Sequence, residues 1–181
     1  AEIGAKLDEV KPDVVCISSI TATFPDSLEV AQAAKARGAT TVMGGVHPSF
    51  MHREFLPGAA VDFVVVGEGE ETLLELLRCL AAKDDPSKVP GLAFLREGKI
   101  VVTRARGRLD ALDPMPMAFD LLDWKTYTYF VKPRSRLGAV SSSRGCTYGC
   151  TFCSQTQFWG KTWRARSADC VANEIAMLRK D

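Results

Sequence analysis

Three cysteines, Cys146, Cys150 and Cys153, stand within eight residues in the run Cys-Thr-Tyr-Gly-Cys-Thr-Phe-Cys. Thiolates are soft ligands, and three of them can converge on one soft metal centre if the loop that carries them wraps around it. Gly145 and Gly149 supply the backbone freedom for such a wrap. Structural zinc is one reading, although it wants four ligands, usually as two separated pairs. The only histidines, His47 and His52, lie far upstream, and the next thiol, Cys170, falls on an expected helix. An iron–sulfur cluster is the other reading. Bacterial ferredoxins space their cysteines by two residues and use a fourth. Three ligands in a C-x3-C-x2-C spacing would leave one iron of a four-iron cluster without a protein ligand and free to hold a small molecule. Cys16, Cys79 and Cys170 are scattered and are expected to be small buried hydrophobes.

A second group of residues sits where strands are expected to end: Ser18-Ser19-Ile20, Gly44-Gly45-Val46-His47-Pro48 and Gly67-Glu68-Gly69-Glu70-Glu71. Open α/β sheets bind ligands at the carboxyl ends of their parallel strands. Glycines there let a bulky ligand approach the backbone, and a side chain such as Leu at Gly44 or Gly45 is expected to block a ligand without unfolding the sheet. A tight turn explains a Gly-Gly pair equally well. His47 reads as pocket lining or a satisfied histidine rather than a metal ligand.

These residues must be positioned by the elements around them. Short apolar runs at 14–17, 40–43 and 63–66 have the character of buried parallel strands. Helical patterns lie before, between and after them, with Pro25 opening one helix, Gly38 closing it, a short helical turn at 50–56 and a helix at 72–82. The β-α-β-α-β-α order predicts an α/β fold with a doubly wound, Rossmann-like parallel sheet. Residues 92–95 and 100–103, joined through Glu97-Gly98, predict an appended hairpin. Residues 104–136 read as a linker punctuated by Pro114, Pro116 and Pro133 and pinned by Trp124, Tyr127, Tyr129 and Phe130; Arg104, Arg106 and Arg108 read as a solvated face. A strand at 137–141, the cysteine loop and a helix from Ser167 or Ala168 open another unit. The expected division is therefore 1–103, 104–136 and 137–181.

Composition narrows the function. Hydrophobic residues make up 46% and charged residues 25%, the proportions of a globular chain. Lys plus Arg number 23 against 22 Asp plus Glu, so nothing points to nucleic acid or an anionic membrane as partner. No apolar run approaches the length of a membrane span, and no signal-peptide pattern opens the chain, which points to the cytoplasm. The chain reads as a piece of something longer, inactive by itself.

The spacing of the three cysteines, with Phe152 before the last, resembles the radical S-adenosylmethionine (SAM) enzymes. The resemblance implies that Cys146, Cys150 and Cys153 hold a 4Fe–4S cluster whose free iron chelates SAM, with Phe152 on the SAM adenine side. It also implies that the strand, loop and helix at 137–181 begin a partial (β/α) barrel. Beside that loop, the earlier motifs resemble the cobalamin-binding domain that precedes many radical SAM enzymes, here lacking an initial strand and helix. Ser18, Ser19, Gly44, Gly45, Gly67, Glu68 and Gly69 would then line the cobalamin pocket. Phe119 to Trp124, Tyr127, Ser143-Arg-Gly-Cys146, the run from Cys153 to Trp159, and Trp163-Arg-Ala-Arg166 look like the anaerobic magnesium-protoporphyrin IX monomethyl ester oxidative cyclase branch, which acts in (bacterio)chlorophyll synthesis. The implied cofactors are a 4Fe–4S cluster, SAM and cobalamin. The implied partners are a small-molecule substrate such as a porphyrin and an electron donor such as ferredoxin or flavodoxin. A cobalamin-dependent radical SAM C-methyltransferase would share every one of these motifs, and a non-catalytic zinc-binding module is the alternative outside enzymes. Phe158, Trp159 and Trp163 either pack under the loop or wall a flat apolar pocket, packing being the first expectation.

Overall fold

The structure is a computed structural model and describes residues 2–113, 117–132 and 135–179. Pro114, Pro116 and Pro133 of the expected linker lie outside the described residues. The chain divides into two compact units, residues 1–108 and 109–181.

The first unit alternates helix and strand: α1 (Glu2–Val10), β1 (Val14–Ser18), α2 (Phe24–Lys35), β2 (Thr40–Gly44), α3 (Val46–Phe55), β3 (Phe63–Val65) and α4 (Glu70–Ala82), then β4 (Leu92–Arg96) and β5 (Lys99–Val102). The five strands lie side by side in chain order. β1, β2 and β3 are parallel, with Ser18 opposite Gly44; β4 is antiparallel to β3, and β5 to β4. The expected hairpin is present, turning at Glu97 and Gly98, both at positive φ (51° and 73°), as a two-residue turn that follows strand twist requires. It makes the sheet mixed. Among the described residues the strand order never reverses, so the doubly wound arrangement is not seen.

Helices nevertheless cover both faces. Met43, Val64 and Ala93 face one core with Ala31 of α2 and Leu56. Their chain neighbours Val42, Val65 and Leu92 face the other, with Leu76 and Cys79 of α4. The period-two alternation of side chains thus feeds two cores from the same three strands. β1 has no neighbour on its outer side among the described residues, which explains why Cys16 is exposed rather than buried as expected; Cys79 is buried and Cys170 half-buried. Arg106 is not part of a solvated face either. Its guanidinium donates to Thr72 Oγ1 (2.8 Å), Glu71 (3.1 Å) and Glu75 (2.5 Å), tying the chain after β5 to α4.

In the second unit Leu112 and Phe119 are buried. Trp124 packs on the Phe119 ring (5.7 Å) and donates its indole N–H to the Phe119 carbonyl (3.0 Å), while Tyr127, Tyr129 and Phe130 are exposed. The regular elements are β6 (Ser143–Gly145), the one-turn α5 (Gln155–Trp159), β7 (Trp163–Ala165) and α6 (Ala168–Leu178). Residues 137–141 are not a strand. A strand exists only where a neighbour takes its hydrogen bonds. Here the available partner, β7, pairs antiparallel with residues 143–145, six residues later than the apolar run that suggested a strand. α6 begins where expected, with the Ser167 side chain accepting from the Cys170 N–H.

Candidate cofactor sites

The carboxyl ends of β1, β2 and β3 bring the first set of predicted residues to one edge. Ser18 ends β1 with an exposed side chain, and Ser19 beside it is 1% exposed, its N–H donating to Gly44 O (2.9 Å). Gly45 is at φ 100°, and a Cβ there would lie 2.5 Å from Ser19 O and 3.0 Å from Ser19 N. Its bareness therefore serves the contact between β2 and the Ser18–Ser19 turn. A Leu at Gly45 would disturb the fold before it met any ligand, contrary to expectation. Gly44 differs: its Cβ would meet only Val65, at 3.7 Å, an ordinary contact. Gly67, at φ 85°, has nothing within 4 Å of a Cβ and opens onto free space at the edge. Glu68 and Gly69 follow it, and Gly69 starts α4 by accepting from the Leu73 N–H (2.7 Å).

Two features of this edge were not read from the sequence. α3 begins at Val46, directly after Gly45, and not near Phe50. Pro48 falls in its first turn, where a missing N–H costs nothing. That start puts Ser49 within reach of the edge: its hydroxyl donates to Gly45 O (2.7 Å) and accepts from the Gly67 N–H (3.0 Å), joining the ends of β2 and β3. Had Gly-Val-His-Pro been taken as a helix start, the serine four residues after Gly45 would have been the signal. His47 is engaged as a satisfied side chain, with Nδ1 3.2 Å from Thr21 Oγ1 and its ring 4.2 Å from that of Phe24. The edge fits a bulky ligand in its donor and space pattern: an exposed hydroxyl at Ser18, a half-exposed Gly44, and open backbone at Gly67.

The second set lies on residues 146–162, closed at the base by the β6–β7 ribbon. Gly145 is at φ 95°, and a Cβ there would overlap Thr162 O at 2.0 Å, so only glycine permits the closure. Cys146 and Cys153 are half-buried, Cys150 is exposed, and none is in a disulfide. The Cys153 N–H donates to Cys150 O (3.2 Å). Among the described residues no three His, Cys, Asp or Glu side chains stand close enough to share one metal ion, so the thiols share a loop without having converged. The donor set still fits a thiophilic cluster, since all three thiols are free and follow one another around a single loop. Phe152 is 91% exposed. The rings of Phe158 and Trp159 meet edge to face (4.6 Å) and the Arg144 guanidinium lies over the Trp159 ring (5.5 Å), while Trp163 is exposed. Cys170 is engaged elsewhere, with its Sγ 3.1 Å from Arg166 Nη2.

The B12 binding domain family matches residues 1–77, which include every residue of the strand-end set and none of the cysteine loop. Over 98% of its length the chain is 35% identical to the anaerobic magnesium-protoporphyrin IX monomethyl ester cyclase of Cereibacter sphaeroides, covering 30% of that protein. It is 32% identical, over 99% of its length, to the hopanoid C-3 methylase of Methylococcus capsulatus, covering 35% of it. The chain thus spans about a third of the length of these relatives. Among solved structures, the radical SAM methyltransferase TsrM from Kitasatospora setae superposes with a TM-score of 0.71 at 20% identity, over 98% of this chain and 36% of that one. Among the described residues no helix is long and apolar enough to cross a membrane. Residues 1–77 match the B12 binding domain family, in a chain similar in sequence over nearly its whole length to proteins named as an anaerobic cyclase and as a methylase.

Proposed function

We propose that this chain supplies the cobalamin-binding and cluster-binding parts of a radical SAM enzyme. The observation that carries the proposal is the pairing, in one chain, of a match to the B12 binding domain family at residues 1–77 with a glycine-closed loop bearing three thiols outside any disulfide. Ser18, Ser19, Gly44 and the Gly67–Gly69 turn would hold cobalamin, with Gly45 and Ser49 keeping the edge in shape. Cys146, Cys150 and Cys153 would hold a 4Fe–4S cluster, and Phe152 would offer an apolar surface to the SAM adenine. Such a cluster supplies one-electron reductive cleavage of SAM, which starts radical chemistry on a substrate. The chain's own residues bind and orient these groups.

The reaction proposed is oxidative cyclisation of a magnesium-porphyrin ester, in a cytoplasmic enzyme that draws electrons from a ferredoxin or flavodoxin. Support for it comes from the relative named as an anaerobic cyclase. Methyl transfer is the second reading, supported by relatives named as methylases and methyltransferases. A full-length enzyme carrying this chain, given SAM and the porphyrin ester, should form a product whose mass shows ring closure; a mass gain of one methyl group on an accepted substrate selects the second reading. Metal analysis after anaerobic reconstitution tests the premise. About four iron and four sulfide per chain are expected, and a single zinc with no iron would replace the enzyme reading with a zinc module.

A further inference from the structure

We infer that the buried pair Arg166–Glu174 is a positioning clamp for the cysteine loop. The inference rests on the reading of that loop as a metal site. One end of the β6–β7 ribbon, at Gly145 and Thr162, closes the loop. At its other end Arg166 ties two pieces of chain to β7, the segment entering β6 and the helix α6. Arg166 donates its backbone N–H to Ser142 O (2.9 Å) and Nη1 to Ser141 O (2.9 Å), which holds the chain entering β6. Nη2 donates to Cys170 Sγ (3.1 Å), and Nη1 also pairs with Glu174. Cys170 and Glu174 are four residues apart on one face of α6. The start of that helix is held in turn by Asp113, which accepts from the Ser167 N–H (2.9 Å). The direction in which the ribbon presents Cys146 is therefore set through Arg166.

Burial says what kind of device this is. The side chains of Arg166 and Glu174 are only 8% and 3% exposed. Stripping water from two charges costs about as much as their attraction returns, so a pair this buried adds little net stability over apolar residues of similar shape. What apolar residues could not reproduce is the set of directed bonds to Ser141 and Cys170. The pair specifies an arrangement, and the arrangement it specifies is the mouth of the three-thiol loop. Neither residue touches the thiols of the loop, so this is positioning and not catalysis.

The test separates charge balance from positioning. Co²⁺ is titrated anaerobically into the reduced full chain, and the thiolate-to-cobalt(II) absorption band is followed. The double variant Arg166→Met/Glu174→Leu removes both charges and keeps their bulk. It should melt close to the parent chain yet bind Co²⁺ about tenfold more weakly or worse, with a changed band, as expected when groups that orient metal ligands are lost. Arg166→Lys keeps the charge beside Glu174 but has no fork to reach Ser141 as well, and should also bind more weakly. Parent-like affinity and spectrum in the folded double variant would overturn the clamp. Should that variant unfold, Arg166→Lys decides, and parent-like binding by it overturns the clamp too. Absence of any thiolate band in the parent chain would instead sink the metal-site reading, a different failure from that of the clamp.

Discussion

The two candidate sites are made of different material. At the carboxyl edge of the first unit the groups that face outward are mostly backbone and small side chains, set in place by strand register: Ser18 lies opposite Gly44, and Ser49 joins the ends of β2 and β3. The cysteine loop of the second unit is closed at its base by the β6–β7 ribbon, and its functional atoms are side chains that, among the described residues, have not converged. The contrast is the one that the two proposed ligands would call for. A metal centre organises its thiolates by forming bonds to them, so binding and local ordering occur together. A large organic cofactor held by backbone contacts needs a surface that exists beforehand. The first site should therefore be sensitive to changes in the scaffold, and the second to the loss of individual ligands.

The largest effect is expected at the loop. Replacing Cys146, Cys150 or Cys153 by Ala should abolish iron retention after reconstitution, whereas Cys16→Ala, Cys79→Ala and Cys170→Ala should retain it. Loss of iron in Cys170→Ala alone would point to a four-thiol site. Gly145→Ala should match the loop cysteine variants, because its Cβ would collide with Thr162 O; its cobalamin binding should stay unchanged, since the first unit is untouched.

At the edge, Gly45→Ala and Gly44→Ala should part company. The first places a side chain at positive φ and 2.5 Å from Ser19 O, and should cost about 1–3 kcal/mol or more in denaturant unfolding of the first unit. The second meets only ordinary contacts and should unfold within roughly 0.5 kcal/mol of the parent. Equal stabilities for the two variants would mean that the close approach of β2 to the Ser18–Ser19 turn is wrong. Ser49→Ala removes both hydrogen bonds by which its hydroxyl links the chain ends after β2 and β3, and strands a partly buried amide. A destabilisation of about 1–3 kcal/mol is expected, with weaker cobalamin uptake measured by equilibrium dialysis.

The smallest effect concerns pH. The Arg37 guanidinium holds the Asp8 carboxyl below its ordinary value, and Arg96, with Ser87, does the same more strongly for Asp85. In the second unit the Ser167 hydrogen bonds lower Asp113. A carboxyl whose folded pKa is depressed stabilises above its unfolded value, about 4, and loses that contribution as pH falls through the folded value. The melting temperature should therefore be flat from pH 7 to about pH 5 and decline below about pH 4. The Asp8 and Asp85 contributions come from exposed ion pairs and should shrink in 1 M salt.

Much of this was legible in the sequence because it depends on local pattern. Apolar runs placed β1, β2, β3 and the hairpin within a residue or two, since alternation along a strand sandwiched between two cores leaves only hydrophobic choices at Val42-Met43 and Val64-Val65. The thiol spacing, the bare Gly145 and the Ser167 cap are likewise local, and each was visible as a residue type at a fixed offset. What only the tertiary structure decided are the relations between distant segments. The apolar run at 137–141 looked like a strand, but pairing went to residues 143–145, because a strand is defined by the partner that takes its hydrogen bonds. Cys16 looked buried, and its place on the outer strand exposed it. Gly45 looked like a ligand contact, and the nearness of Ser19 made it a scaffold position. The bridging roles of Ser49 and Arg166 were likewise decided by the fold, for a hydroxyl or a guanidinium acquires such a role only when folding brings to it the carbonyls, amides and carboxylates it can bridge.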